Sequence, residues 1–501
     1  MKTLLSLCVI CLTAAASAQP ASPTDPPARP NVLFIAIDDL RPELGAYGHP
    51  MVRSENLDRL AGQGLIFDRA YCQAALCAPS RTSLMSGLRP GVPGITATDS
   101  RDEASLNAVL ETVTTLPQHL RRGGYRTLSV GKIFHTYETM GSDPWDEVLK
   151  PGGGTYQLAK NKNREQTYRQ KVKQEGPSAR WRNPRGDASE AADVPDDQYQ
   201  THRIASRGIR LLDEHVENHP DQPFFLAVGF YKPHLPFIAP QRYWDLYDRQ
   251  QLTVPPTDEP QGMPEYALVP SWYEVRQYGD IPRQTESLDQ AKARELIHGY
   301  YACISFVDAQ VGRLLESLDQ HGLADNTVVI VWSDHGFKLG DYGDWSKYTN
   351  MEIDTRVPLI VKGPRVTAGR TDALVELIDL YPTVAELTGN EVPKHVEGTS
   401  FVPLLSDPDR PWKSAALSYY DRRNPDGEGF SIRDARYRYT EWREYETGRV
   451  LARELYDHAE GPIAQRNLAD DPAHAETRDR LQSLLAEGWT ALTPPAADPK
   501  R

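Results

Sequence analysis

Short apolar segments recur along the chain, each followed by polar residues or glycine. They are VLFIAI (32–37), FFLAVGF (224–230), TVVIVW (327–332) and VPLIVKG (357–363). Apolar runs that do not alternate with polar residues are typical of strands buried on both faces of a parallel sheet. The segments therefore predict a central sheet that is covered on both sides.

Stretches with helical spacing of apolar residues lie between these segments. They are SENLDRLAGQG, with Ser54 as the expected N-cap, TLPQHLRRGG, residues 288–321, and LIDLYPTVAELTG, which ends at Gly389. Strands that alternate with helices predict an α/β fold. We expect a large mixed, mostly parallel sheet sandwiched by helices.

The two ends of the chain depart from this pattern. Met1 and Lys2 precede an apolar run that ends in Ala-Ser-Ala, so residues 1–18 are predicted to be a signal peptide, followed by a Pro-rich linker at 19–30. The α/β domain is expected to span residues 31–411. From Trp412 the short segments ALSYYD, GFSIRD and RYRYTEW, with a helix near 474–488, predict a smaller C-terminal α+β domain over 412–501.

A polar region interrupts the α/β pattern from residue 152 to residue 200. Gly, Lys and Arg are abundant there, and apolar periodicity is weak. Because long loops in compact domains are often functional, we expect a long insertion near the functional site.

Charge and targeting limit the partners. The net charge of −13 over 501 residues argues against nucleic acid, because a phosphate backbone calls for a basic surface. An anionic substrate would need a local cluster of Lys, Arg, His and metal. The signal peptide predicts a secreted or periplasmic protein, and no later segment is apolar over the roughly 20 residues that stable membrane insertion requires.

Without the signal peptide, the chain keeps Cys72, Cys77 and Cys303. An odd number of cysteines leaves one thiol free, modified or joined to another chain. If Cys72 pairs with Cys303, Cys77 remains, but the sequence leaves this pairing open.

Acidic residues follow two of the predicted strands. Asp38 and Asp39 end the first strand, and Asp334 and His335 end the strand TVVIVW. Ligands of open α/β sheets bind at the carboxyl ends of strands, so we expect these residues to converge. Three carboxylates and a histidine favour a hard divalent cation, Ca²⁺ rather than Mg²⁺. The alternative is that each acidic pair caps a turn.

The segment CAPSR (77–81) places Cys77 before a helix that Pro79 is expected to open, with Arg81 on its first turn. The unpaired N–H groups of a helix N-terminus would stabilise an anion on residue 77 or on its substrate. This placement suits catalysis better than cross-linking.

CAPSR followed by Gly87 resembles the sulfatase signature C-x-P-S-R. In that family, which has an alkaline-phosphatase-like fold, a maturation enzyme oxidises the cysteine to Cα-formylglycine, whose hydrate is the nucleophile. The motifs NVLFIAIDDLRPELGAYG, SVGKIFH, GFYKPHLPF, VVIVWSDHGFKLGDYGDWSKYTN and RVPLI resemble the iduronate-2-sulfatase-like branch, in its order.

The resemblance implies residue roles. The metal would be held by Asp38, Asp39, Asp334, His335 and the modified Cys77, while Lys132, His135, His234 and Lys347 fall at sulfate-binding and proton-transfer positions. Lysines suit sulfate oxygens, a histidine in a Pro-flanked loop suits a general acid, and His135 suits stabilisation of the nucleophile's hydroxyl. The alternatives are surface salt bridges for the lysines and non-catalytic roles for the two histidines.

The sequence also departs from that branch. Tyr342 stands where the branch usually has His, Phe337 stands where human-type enzymes have Trp, MSG replaces LTG, and ELYDHAEGPIAQRNL lacks the usual D-P. Positions beside the DHG motif are expected to line the substrate pocket, so these departures bear on substrate choice.

We expect a sulfuric ester hydrolase that acts on a sulfated carbohydrate, resembling iduronate-2-sulfatase. The alternatives are a sulfatase of another sulfated polysaccharide, a phosphatase or phosphodiesterase of the same superfamily, and a glycan-binding pseudo-sulfatase whose Cys77 is never converted. A phosphatase of this type would use Ser or Thr with two metals.

Overall fold

The computed structural model describes residues 29–91, 94–96, 103–136, 144–176, 179–180, 182–268, 274–282, 288–423 and 425–495. The predicted signal peptide and nearly all of the predicted linker lie outside these ranges. Within them, no helix combines the length and the apolar character needed to cross a membrane.

A mixed sheet forms the centre of the fold. The first ten strands are β1 Asn31–Ile37, β2 Leu65–Tyr71, β3 Arg126–Gly131, β4 Glu147–Leu149, β5 Ser189–Ala192, β6 Phe224–Phe230, β7 Phe237–Pro240, β8 Thr327–Ser333, β9 Arg356–Lys362 and β10 Gly369–Glu376. Eight of them form one sheet in the order β10-β2-β9-β8-β1-β6-β3-β4. The central strand β1 runs parallel to β6 and β8, whereas β9 is antiparallel to β8 and β2. All four predicted strands are confirmed.

Helices cover both faces of this sheet. The α-helices of the described residues are α1 Glu55–Gly62, α2 Cys77–Ser86, α3 Glu103–Thr112, α4 Leu116–Arg122, α5 Ala159–Glu175, α6 Gln200–Asn218, α7 Gln241–Trp244, α8 Gln290–Gln320, α9 Glu352–Thr355, α10 Leu380–Leu387, α11 Val402–Ser406 and α12 Ala475–Glu487, of which α12 packs against the C-terminal sheet instead. Alternate residues of β1 enter two separate cores, one shared with α1, α6 and α8, the other with α2, α4 and α10. This double burial explains why the strands lack alternation.

The predicted helix at 288–321 is α8 almost to the residue. Ser54 does precede α1, but its side chain accepts no hydrogen bond from the helix. The Ser54 hydroxyl instead donates to Asp58 Oδ1 at 3.0 Å and accepts from the backbone N–H of Gly45 at 3.0 Å. The position of the cap was thus predicted correctly and its bonding was not.

The interpretation of residues 152–200 as a long loop is wrong, because the region contains α5 and β5. Polar contacts rather than an apolar face hold α5. Asn161 is buried and donates to Glu190 Oε2 at 3.0 Å, and buried Glu165 pairs with Arg185 at 3.1 Å. A helix fixed in this way carries no apolar periodicity. Its neighbour β5 pairs with β7, which follows the loop that contains His234.

The C-terminal region forms a separate antiparallel sheet with an α-helix, which agrees with the predicted smaller α+β unit. Its strands are β11 Ala416–Arg423, β12 Asp426–Arg433, β13 Tyr437–Arg443 and β14 Val450–Asp457, paired in sequence order. Ile432, Tyr439 and Leu455 of this sheet form a small core with Leu481 of α12. The fold is therefore an α/β sandwich followed by a smaller α+β unit.

A buried ion cluster joins the two sheets. Glu352 of α9 accepts hydrogen bonds from Arg433 Nε at 3.0 Å, Arg438 Nη2 at 2.9 Å and the Tyr71 hydroxyl at 2.9 Å. Burial alone would raise the pKa of Glu352, but Arg433 and Arg438 hold it well below its ordinary value. Glu352 is therefore a buried anion whose charge is compensated by the C-terminal sheet.

We expect Glu352→Gln to lower the free energy of unfolding by about 3 kcal/mol at pH 7, because it leaves two buried guanidinium groups without their counter-ion. The depressed pKa means that this stabilisation is present at neutral pH and is lost as the pH falls below the ordinary glutamate value of 4.5. Urea unfolding at pH 7 and pH 4 measures the difference, with exposed Glu446→Gln as control. A difference that is equal at both pH values would contradict this account.

Candidate active site

The acidic residues predicted to converge do so at the carboxyl ends of β1 and β8. These strands pair side by side, with Ile37 opposite Ser333. The backbone N–H of Asp39 donates to Asp334 Oδ1 at 3.1 Å, and both side chains are buried. Asp39 has a φ of 62°, a left-handed conformation that costs energy in a residue other than glycine and often marks functional sites.

The N-terminus of α2 places Cys77 beside these residues. The helix begins at Cys77 itself, two residues before the expected Pro79. Cys77 Sγ lies 3.2 Å from His335 Nε2, 3.7 Å from Lys347 Nζ and 4.0 Å from Asp39 Oδ1. Burial and Asp38 act to raise the pKa of the Cys77 thiol, yet the nearby ammonium groups of Lys132 and Lys347 bring it below its ordinary value.

Arg81 holds two of the carboxylates together. Its Nη2 donates to Asp38 Oδ1 at 2.9 Å, its Nε donates to Asp334 Oδ2 at 2.8 Å, and its Nη1 donates to the carbonyls of Lys132 and Ile133. Arg81 is fully buried. The arginine therefore fixes the spacing between the ends of β1 and β8.

Lys132 and Lys347 are buried members of the same cluster. Lys132 Nζ lies 2.6 Å from Asp38 Oδ2, and Lys347 Nζ lies 2.8 Å from each carboxylate oxygen of Asp39. Their exposed fractions are 6% and 1%, which rules out surface salt bridges. Burial would lower the pKa of each lysine, but the paired aspartates raise it above the ordinary value, so both carry positive charge.

The histidines of the site differ in charge. Burial would lower the pKa of His335, but Asp334 and the other anionic neighbours raise it to about 10. For His135, burial and Lys132 lower the pKa to about 3, so its ring is neutral. Its Nδ1 is buried and has no hydrogen-bond partner among the described residues. His135 is thus a neutral imidazole whose pKa is affected by the charges of the cluster.

His234 is held by a residue that the sequence analysis missed. Its Nδ1 donates to the Leu235 carbonyl at 2.7 Å, and its Nε2 lies 2.8 Å from Glu274 Oε1. The other Glu274 oxygen lies 3.2 Å from Lys347 Nζ. Glu274 occurs in EVRQYG, which carries no motif and no periodic pattern that would have identified it.

The described residues fit a divalent cation. Two groups of possible ligand atoms share Cys77, and within each group the atoms lie no more than 4.8 Å from one another. The first group is Asp38, Asp39, Cys77 and His234, and the second is Cys77, Asp334 and His335. Two oxygen ligands on opposite sides of a Ca²⁺ ion are at most about 5 Å apart, so these separations allow one ion to contact all the atoms of a group. The donor set, three carboxylates and an imidazole around residue 77, therefore suits a hard cation, which would replace the proton that the anionic neighbours favour on His335. The structure brings together all five predicted ligands. A nitrogen of His234 lies within the same range, but both of its ring nitrogens face oxygen acceptors, so His234 is not counted among the ligands.

The other two cysteines, and Tyr342, which differs from the iduronate-2-sulfatase-like pattern, do not belong to this cluster. Cys72, Cys77 and Cys303 are all unpaired, so the open pairing of Cys72 with Cys303 does not occur. Tyr342 was expected at the substrate pocket, but it is buried against Met351 and Tyr456, and its hydroxyl accepts from the Ala464 N–H at 2.8 Å. Packing against the C-terminal segment explains this difference.

Phe337, the other departure beside the DHG motif, is buried in the main core. Its ring packs edge-on against Phe237, with centroids 6.1 Å apart, and lies 5.9 Å from Lys347 Nζ. Unlike Tyr342, it therefore stays next to a residue of the site.

Comparisons with known proteins identify the family of the chain. A family model described as "Sulfatase" matches residues 30–390, and one described as "N-sulphoglucosamine sulphohydrolase, C-terminal" matches residues 340–490. Iduronate 2-sulfatase of Homo sapiens is 31% identical, over 96% of this chain and 97% of that protein.

Two solved structures share the fold. A protein solved with its substrate D-glucosamine-2-N,6-O-disulfate has a TM-score of 0.72 at 22% identity, covering 93% of this chain and 98% of its own. The phosphonate monoester hydrolase of Agrobacterium radiobacter has a TM-score of 0.69 at 23% identity, covering 92% and 96%. Both similarities concern the fold. The family match over most of the chain and the full-length relative establish that this protein belongs to the sulfatase family.

Proposed function

We propose that the protein removes sulfate from a sulfated carbohydrate, with a uronate 2-sulfate as substrate, and that it uses one Ca²⁺ and a formylglycine made from Cys77. The observation that carries this proposal is the position of Cys77 Sγ, at a helix N-terminus between a carboxylate cluster and two buried lysines. The similarity to human iduronate 2-sulfatase supports the choice of substrate.

The formylglycine and the cation would each have one chemical task. Formylglycine hydrate would supply the nucleophilic oxygen, and a cation held by Asp38, Asp39, Asp334, His335 and residue 77 would supply Lewis-acid charge. Lys132 and Lys347 are paired with Asp38 and Asp39, which belong to that ligand set. Both ammonium groups are positioned to bind the oxygens of a sulfate group, and a cation on these carboxylates would leave the lysines less fully paired.

His234 is the proposed general acid. Both of its ring nitrogens face oxygen acceptors, so the ring carries two protons, and the one on Nε2, which Glu274 shares, is the proton that would pass to the leaving alcohol. His135 is neutral, with a buried Nδ1 that lacks a partner among the described residues, and is thus able to accept a hydrogen bond from a hydroxyl on residue 77. Acid and acceptor therefore have different charges at the same pH, as their two roles require.

The proposal implies a maturation enzyme and an exported protein. Cys77, Ser80 and Arg81 are almost fully buried in the folded chain. A formylglycine-generating enzyme must therefore reach the CAPSR segment before the fold closes around it. The signal peptide predicted at residues 1–18 accounts for secretion or a periplasmic location.

The direct test is sulfate release by protein produced with a maturation enzyme, after mass spectrometry has verified the conversion of Cys77. Saturated and unsaturated 2-O-sulfated uronate disaccharides are the substrates. We expect release by the converted protein and none by Cys77→Ala, with the fold unchanged; Cys72→Ala, at another buried free thiol, is the matched control. If sulfate is released only from other sulfated polysaccharides, the proposed uronate substrate is wrong. Activity on phosphate esters alone would overturn the whole proposal.

Removal of the metal should lower activity and thermal stability together. Chelation is expected to reduce sulfate release by more than about 100-fold, since a Lewis acid contributes several kcal/mol. The melting temperature should fall as well, because a ligand of the folded state stabilises it. Added Ca²⁺ should restore both, and more fully than Mg²⁺. A melting temperature that chelation leaves unchanged would exclude a bound ion.

Loss of the general acid should depend on the leaving group. We expect His234→Ala to lower kcat on a sugar sulfate by about 100-fold or more, the usual contribution of a general acid. A 4-nitrophenyl sulfate, whose leaving group needs no proton, should be affected far less. His219→Ala, at an exposed histidine, is the control. Equal losses on both substrates would remove His234 from this role.

A further inference from the structure

We propose that Glu274 is a positioning residue of this site, whose carboxylate fixes the orientation of His234 and opposes the binding of anions at Lys347. This inference rests on the proposed function, because it assigns Glu274 to the same reaction. It is independent of which sulfated sugar is bound.

Glu274 joins the two cationic groups of the site. Its Oε1 lies 2.8 Å from His234 Nε2, and its Oε2 lies 3.2 Å from Lys347 Nζ. The side chains of Glu274 and His234 are 12% and 23% exposed, whereas that of Lys347 is 1% exposed. Glu274 therefore stands on the side of the cluster that solvent and substrate can reach.

The bonds of His234 determine its protonation state. A backbone carbonyl only accepts hydrogen bonds, so the Leu235 carbonyl at 2.7 Å requires a proton on Nδ1. An ionised carboxylate also only accepts, so Glu274 requires a second proton on Nε2. Lys347 and His234 in turn hold the pKa of Glu274 well below its ordinary value, although burial would raise it. His234 is thus kept as an imidazolium with both ends of its ring fixed.

The same carboxylate competes with the substrate. Lys347 Nζ already contacts both oxygens of Asp39, and Glu274 adds a third anionic oxygen. A sulfate group near Lys347 would lie close to the negative charge of Glu274 and be repelled by it. Removal of this charge should therefore tighten the binding of sulfate. It should also leave the His234 ring without the partner that fixes its orientation.

Tyr348 holds Glu274 in this position. Its hydroxyl donates to Glu274 Oε2 at 3.2 Å. The backbone of Tyr348 has a φ of 79°, a strained conformation for an aromatic residue. Its N–H donates to the Ala75 carbonyl at 3.2 Å, and its own carbonyl accepts from Arg422 Nη2 at 3.0 Å. Strain that the surrounding structure maintains next to Lys347 indicates that the position of this side chain matters.

The test compares wild type and Glu274→Gln, both with verified conversion of residue 77. For Glu274→Gln we expect kcat on the sugar sulfate to fall about 10- to 100-fold, part of the contribution of a general acid, and kcat on 4-nitrophenyl sulfate to fall much less. KM should fall about 3- to 10-fold on both substrates as the repulsion is removed. Glu265→Gln, at an exposed carboxylate of the same chain segment, should behave as wild type.

A double variant shows whether Glu274 acts through His234. In the His234→Ala background, Glu274→Gln should cause little further loss of kcat, because the group that it positions is gone. A purely structural role would instead lower kcat equally on both substrates and raise KM. An increase of KM for the sugar alone, with kcat unchanged, would make Glu274 a substrate contact. Either result would overturn the inference.

The failure of this inference is distinguishable from failure of the proposed function. If wild type releases no sulfate from any ester, the function is wrong. Calorimetric titration with inorganic sulfate still tests Glu274, since Glu274→Gln should bind sulfate more tightly than wild type, and equal affinities would refute the charge effect. If Glu274→Gln does not fold, Tyr348→Phe is the alternative, because it removes one hydrogen bond to the Glu274 carboxylate. It should change kcat and KM in the same directions but by smaller factors, and unchanged kcat and KM would count against the inference.

Discussion

The site depends on the electrostatic cost of burying carboxylates. Asp38, Asp39 and Asp334 lie almost without solvent at the ends of two neighbouring strands. Ions held in such a place are stable only when they are paired and hydrogen-bonded. Arg81, Lys132 and Lys347 provide the matching positive charges. Each of these cations comes from a different part of the chain, so the fold must bring them to one edge of the sheet.

The sheet order explains how that is achieved. β1 lies between β8 and β6, and β3 follows β6, so Lys132 emerges at the same edge as Asp38. The helix α2 begins at this edge with Cys77 and places Arg81 one turn later. The pairs that stabilise the folded state are also the groups proposed to bind metal and sulfate. The same charge pairs that offset the cost of burial would thus also set the positions of the proposed metal and sulfate ligands.

The sequence allowed much of this to be predicted, for a definite reason. Strands buried on both faces give long apolar runs, and their ends identified Asp38, Asp39, Asp334 and His335 without any alignment. The helix α5 and the hydrogen bonding of Ser54 were missed, because polar contacts between distant residues leave no periodic trace. Glu274 was missed for the same reason, since only the folded chain places it beside His234.

The geometry at Lys347 also depends on the C-terminal sheet. The segment that carries Lys347 continues into residues that β11 and β12 hold. Arg422 donates to the Tyr348 carbonyl at 3.0 Å, Asn350 Nδ2 donates to the Gly429 carbonyl at 3.0 Å, and Glu352 pairs with Arg433. Arg422 is in turn packed against the rings of Tyr420 and Trp442. The second sheet therefore holds the residues that follow Lys347, and through them it helps to fix the position of Lys347 beside Cys77.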